Sequence, residues 1–155
     1  MDIQWFPGHM AKARRVIEEE LRLVDVVIEL VDARIPESSR NPLLGQIIGN
    51  KRPRLIILNK ADLADPDRTQ YWIKKYTNNK NLAISVNSTS GRKKLIQSVV
   101  EALHSLTEAK RQRYLEKGAT NVPIRVMVVG IPNVGKSTFI NMLLGKGVAT
   151  TGNKP

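Results

Sequence analysis

The 155-residue sequence contains no cysteine, which excludes disulfides and thiolate metal sites. It also has no long apolar run. The most hydrophobic segments, Val24 to Val31 and Val126 to Val129, are short or broken by Asp25 and Glu29, against the about 18 uninterrupted residues of a membrane span. The opening Met1-Asp2-Ile3-Gln4-Trp5 lacks the basic start and apolar stretch of a secretory signal, and no Arg/Ser-rich transit segment precedes Trp5, so a cytoplasmic protein is expected. Acidic residues are few. Lys and Arg number 25 against 14 Asp and Glu, giving a net charge of +11 and a pI near 10.2. Such a field favours a polyanionic partner, the alternative being a basic surface that serves only solubility.

What is present suffices for one folded domain. At 41% hydrophobic and 25% charged, the chain sits near the globular average. Met10, Ala13, Ile17, Leu21 and Val24 recur at helical spacing, so residues 9–23 read as an amphipathic helix entered at Pro7-Gly8. Residues 25–31, 55–58, 82–86 and 124–129 are β-branched or nearly continuous apolar runs, as expected of strands buried on both faces of a parallel sheet. Helical segments separate them: a short one through Leu44, Ile47 and Ile48, one at 66–76, a long one carrying Leu95 to Leu106, and a last one at 136–144. The long helix is expected to be densely basic from Lys110 to Lys117. Alternating strands and helices predict an α/β fold with a parallel sheet and right-handed crossovers.

Between the strand at 124–129 and the helix at 136–144 lies Gly130-Ile-Pro-Asn-Val-Gly135-Lys136-Ser137, which fits G-x-x-x-x-G-K-[ST] in the context that the pattern requires. Its glycines let backbone N–H groups turn inward around an anion, Lys136 reaches the β and γ phosphates, and Ser137 offers a hydroxyl to Mg²⁺. Asn133, Val134, Gly135 and Thr138 complete the phosphate-contacting set. The loop says nucleoside triphosphate but not which base. Asn59-Lys60-Ala61-Asp62 fits N-K-x-D at the carboxyl end of a strand, where open α/β sheets bind ligands. A carboxylate at Asp62 accepts two hydrogen bonds from guanine N1–H and N2–H₂, which adenine cannot donate. Asn59 can brace the turn, and the Lys60 stem can cover the base. Together the two motifs point to GTP and GDP, and Asp62 opposes an ATP-using enzyme.

Their order is unusual, with N-K-A-D preceding the phosphate loop. In this the chain resembles the circularly permuted GTPases. Trp5-Phe6-Pro7-Gly8-His9-Met10, Asp32-Ala33-Arg34 with Pro36 and Arg40-Asn41-Pro42, and Gly152-Asn153-Lys154-Pro155 resemble the bacterial ribosome biogenesis GTPase A (YlqF-like) family along the whole chain. The resemblance implies a permuted P-loop GTPase domain over 1–155: an N-terminal helix (1–23), a base-binding half (24–121) and a phosphate-loop half (122–155). It implies that four strands form one contiguous block, the strand at 124–129 lying beside that at 25–31. It also implies that the outer strand pair and an Asp-x-Pro-Gly motif, which occurs nowhere here, belong to a longer protein, so this chain is expected to be an incomplete GTPase domain whose hydrolysis is doubtful. The third base-side motif falls on Asn87-Ser88-Thr89 or, in the other register, Ser85-Val86-Asn87, with backbone contact to the base from Asn87 and Ser88.

The same resemblance gives His9 the task of orienting the attacking water, the alternatives being a helix cap or an RNA contact. It gives Asn133 a role in holding K⁺ near the β/γ bridge, where a cation would act as an arginine finger does; a plain turn residue is the alternative. The implied partners are a precursor of the large (50S) ribosomal subunit and its rRNA, with neither membrane nor DNA expected. Arg34 and Arg40 either contact RNA or brace the loop after Asp32. Lys51-Arg52-Arg54, Arg92-Lys93-Lys94 and Lys110-Arg111-Arg113 are candidate rRNA grips. Two functions follow: a switch GTPase that docks on the precursor with GTP and leaves on hydrolysis, or a nucleotide-gated rRNA-binding module with little turnover.

Overall fold

A computed structural model describes residues 7–87, 91–130, 136–146 and 148–154, the first and last four of these by backbone alone. The elements run α1 (Pro7–Leu21), β1 (Val26–Asp32), α2 (Pro42–Ile48), β2 (Arg54–Asn59), a 3₁₀ turn (Ala61–Leu63), α3 (Pro66–Tyr76), β3 (Asn81–Ser85), α4 (Arg92–Leu106), α5 (Glu108–Glu116), β4 (Ile124–Gly130), α6 (Lys136–Leu143) and β5 (Val148–Lys154). Among the described residues the strands form one parallel sheet in the order β3-β2-β1-β4-β5. The chain first moves outward from β1 through β2 to β3, then returns to lay β4 on the other side of β1. That reversal places the switch-point crevice of an open α/β sheet between the carboxyl ends of β1 and β4.

Every residue of β1 is buried, because side chains leave a strand alternately to its two faces and both faces are covered. On one face Val26, Ile28, Leu30, Leu55, Ile57, Val126 and Val128 pack against Val99 and Leu103 of α4 and Phe139, Met142 and Leu143 of α6. On the other, Val27, Met127 and Val129 meet Ile17 and Leu21 of α1 and Leu44, Ile47 and Ile48 of α2, while Val31, Ile56, Leu58 and Ala83 meet Tyr76 of α3. Truncating one of the fully buried residues, such as Ile28 or Ile57, to alanine costs about 2–5 kcal/mol. Caps fix where helices start. Asn41 accepts from the Leu43 amide ahead of Pro42, and Asp65 accepts from the Asp67 amide ahead of Pro66.

The α/β parallel-sheet class holds, with two corrections. The strand count rises from four to five. β5 pairs with β4, Ile124 opposite Val148 and Val129 opposite Lys154, with an irregularity between Val126 and Val128. Val-Ala-Thr-Thr carries little aliphatic signal, and Val148 is buried while Ala149 is exposed, so docking on β4 rather than hydrophobic periodicity makes this strand. Second, the basic stretch after Leu106 is a separate helix. Thr107 is buried, its hydroxyl donates to the Leu103 carbonyl at 2.8 Å, and its backbone (φ −113°, ψ 14°) leaves the helical region. No residue of α5 is buried, and Lys110 ties it to Asp25 at 2.5 Å.

Candidate nucleotide-binding site

The base-side motif is built where three strands end together. Asn59 closes β2 opposite Asp32 of β1, and its carbonyl accepts the Ala33 amide at 2.8 Å. The Asn59 side-chain oxygen accepts the Lys60 amide at 3.0 Å, and the Ala61 amide donates to the Val86 carbonyl, also at 3.0 Å. These bonds force Lys60 to φ 61°, the sole left-handed non-glycine backbone among the described residues. Such a conformation costs roughly 1–2 kcal/mol for a side-chain-bearing residue and persists where its surroundings dictate it. Asp62 follows in the 3₁₀ turn and is exposed. A cleft of about 350 Å³ runs from Asp62 past Thr69 and Gln70 to Ser85 and Asn87, so the turn and the end of β3 face one space. Asn59, Lys60, Asp62 and Asn87 thus lie at one end of the sheet. Ser88 falls outside the described residues.

On the phosphate side β4 ends at Gly130 in the crevice beside β1, and α6 begins at Lys136. Burial pushes the Lys136 ammonium below the ordinary lysine range. Ser137 and Thr138 are exposed in the first turn of α6, where backbone amides and the helix dipole favour a phosphate. Asn133, Val134 and Gly135 lie outside the described residues, as does the His9 side chain; the His9 backbone sits in the first turn of α1. Among the described residues no three His, Cys, Asp or Glu side chains gather as a metal site. A divalent ion would fit here as Mg²⁺ usually binds, through the Ser137 hydroxyl and substrate phosphates rather than a protein cage.

The loop after β1 is held by charge. Arg34 grips Asp32 with Nε and Nη2 at 3.0 and 2.7 Å, and its amide adds a third bond at 2.9 Å. The Arg34 hydrogen bond, above all, holds the Asp32 carboxyl below the ordinary carboxylate range. Arg40 reaches back to Glu29 in the middle of β1 with two bonds of 2.8 and 3.0 Å, and it lies 4.7 Å from the Tyr76 ring centroid. The Tyr76 hydroxyl donates to Glu37 at 2.5 Å. Arg40 therefore braces the loop. In the sequence Glu29 reads only as a break in an apolar run; the usable signal is that a carboxylate inside a doubly covered strand requires a buried cation.

The basic clusters differ. Arg52 donates to the Val24 carbonyl at 2.9 Å, Arg54 lies 3.9 Å from Glu29, Lys110 pairs with Asp25 and Arg111 with Glu108. Arg92, Lys93 and Lys94 are exposed and in no ion pair among the described residues.

The family model described as 50S ribosome-binding GTPase matches residues 125–155, the phosphate-loop half. Ribosome biogenesis GTPase A of Bacillus cereus is 51% identical over 155 residues, all of this chain and 51% of that protein. Over its whole length the chain is homologous to the ribosome biogenesis GTPase A family. Mitochondrial ribosome-associated GTPase 1 of Bos taurus is 40% identical over 157 aligned residues, 98% of this chain and 46% of that one. The crystal structure of GNP-bound YlqF from T. maritima matches with a TM-score of 0.56 at 30% identity, covering 87% of this chain and 48% of that chain. The chain thus spans about half the length of the GTPase A relatives it matches. No helix among the described residues is long and apolar enough to cross a membrane.

Proposed function

We propose that this chain carries the guanine-nucleotide site of a GTPase that assists assembly of the large ribosomal subunit in the cytosol. The observation that carries the reading is that the N-K-A-D turn and the start of α6 stand at the same carboxyl end of one parallel sheet, in permuted chain order. Asp62 selects guanine, the Lys60 stem covers the base, and Asn59 holds the turn. Asn87 and Ser88 close the base side. Lys136, with the amides of Asn133 through Thr138, binds the β and γ phosphates, and Ser137 holds Mg²⁺. When bound, Mg²⁺ offsets charge on the phosphate oxygens, and K⁺ at Asn133 would add to that near the β/γ bridge.

His9, whose backbone lies in the first turn of α1, orients the attacking water in this reading. The YlqF chains of known structure are described as GNP-bound and GDP-bound, which supports GTP and GDP as ligands here. The names of the GTPase A relatives support a ribosomal precursor and its rRNA as partner.

The test is a titration with a fluorescent guanine nucleotide and Mg²⁺. Excess GTP displaces the probe and ATP does not, and Asp62→Asn shifts preference toward the xanthine nucleotide by restoring a complementary donor and acceptor pair. Equal competition by ATP would remove Asp62 from its role. Stimulation of hydrolysis by ribosomal precursor particles separates a switch from a gated binding module.

A further inference from the structure

The three basic clusters of the sequence are not equivalent once folded. In the first, Arg52 and Arg54 are half-buried; Arg52 donates to the Val24 and Lys51 carbonyls, Arg54 donates to the Gly49 carbonyl and lies 3.9 Å from Glu29, and Lys51 stands 4.0 Å from Glu18. In the third, Lys110 and Arg111 are paired with carboxylates, and Arg113 alone is exposed and in no ion pair among the described residues. In the second, at the first turn of α4, Arg92, Lys93 and Lys94 are all exposed and their side chains make no hydrogen bond or ion pair among the described residues. That turn holds no acidic residue, and Gly91 ahead of it gives no side-chain cap. Cations at a helix N-terminus oppose the helix dipole, so these three work against the stability of the helix that carries them. Their placement also abuts the base side of the nucleotide site. Ser85, Asn87, Lys94, Leu95 and Ser98 line a polar cleft of about 210 Å³ between the end of β3 and α4.

We propose that Arg92, Lys93 and Lys94 form the principal phosphate grip for rRNA, set so that a bound strand lies along the polar cleft that ends at Asn87. The proposal rests on the rRNA-partner reading above and deepens it. An RNA backbone supplies the repeated anion that the cluster lacks, and each phosphate neutralised releases counterions. A strand held at Lys94 would lie in the same cleft as Asn87, which the reading above places at the base.

The experiment uses the 155-residue chain and a fluorescein-labelled RNA stem-loop with single-stranded flanks, followed by anisotropy over a range of KCl concentrations. Arg92→Gln/Lys93→Gln/Lys94→Gln is compared with Lys74→Gln/Lys75→Gln/Lys117→Gln, three exposed cations whose loss changes the net charge equally. The α4 variant is expected to bind RNA roughly tenfold more weakly or worse and to lose about 2 from the slope of log K against log salt, at about 0.7 per single-strand contact. The control stays near the parent. The α4 variant is also expected to melt no lower than the parent, since the removed charges opposed the helix dipole, and to bind the fluorescent guanine nucleotide as the parent does. Equal losses in both variants would show that net charge alone acts and overturn the proposal. An unchanged α4 variant alongside a parent that binds RNA would overturn it while leaving the rRNA reading intact. Absence of RNA binding by a folded parent that still binds guanine nucleotide would overturn both.

Discussion

Arg40→Met should unfold this protein more readily than any other single change in its loops, because it strands a carboxylate in the sheet. Glu29 is 4% exposed at the centre of β1, and Arg40 gives it two bonds of 2.8 and 3.0 Å from a side chain that is itself 23% exposed. Removing one partner of a buried pair costs about 3–5 kcal/mol, since the remaining charge keeps its desolvation penalty. Arg54 moderates the loss, but its Nη1 lies 3.9 Å from Glu29, beyond hydrogen-bond distance, so it offsets only part of the penalty. The low end, about 3 kcal/mol, is the expected cost. At about 2–4 °C per kcal/mol for a chain of this size, the melting temperature falls by about 6–12 °C. Burial already pushes the Arg54 guanidinium below the ordinary arginine range, with Glu29 opposing that shift and Arg40 adding to it. Glu29→Leu/Arg40→Met should therefore recover only part of the stability, and adding Arg54→Met should recover more, which is the non-additive signature of one shared charge cluster. Circular-dichroism melts of the three variants decide the matter. A melting temperature for Arg40→Met within about 2 °C of the parent would refute the reasoning.

The other consequences concern the base-side turn and its neighbour. Lys60→Gly relieves the φ of 61° and should leave stability unchanged or raise it by about 1 kcal/mol, while guanine-nucleotide affinity falls because the stem that covers the base is gone; parallel losses in melting temperature and affinity would show that Lys60 serves only the fold. Arg34 holds the folded-state pKa of Asp32 below its unfolded value, so the stability this pair contributes is present above the ordinary carboxylate pKa and is lost as pH falls through the depressed one. Arg34→Gln should flatten acid unfolding in that window and move the Asp32 carboxyl resonance, followed by NMR titration, back up; an unmoved Asp32 titration would assign the depression to another group.

What could be read in advance follows a physical division. Strands β1, β2 and β4 were legible because parallel strands buried on both faces must be near-continuous runs of Val, Ile and Leu; β3, expected to be buried likewise, is an edge strand with only Ala83 buried and shows through the short apolar run Leu82-Ala83-Ile84, and the caps Asn41-Pro42 and Asp65-Pro66 mark helix starts by their own chemistry. Asn59, Asp62, Lys136 and Ser137 were legible because phosphate and guanine each dictate residue types at fixed spacing. β5 was not, since an edge strand with one well-buried apolar residue leaves no pattern; it forms only because β4 offers an unpaired edge. The Glu29–Arg40 pair was not legible either. Eleven residues separate its members, and nothing local distinguishes Arg40 from the surface arginines around it. The same limit applies to the basic clusters. Composition counts Arg54 and Arg92 alike, yet one is spent inside the fold and the other is left facing water, and only the arrangement of carboxylates around each decides which can meet an RNA phosphate.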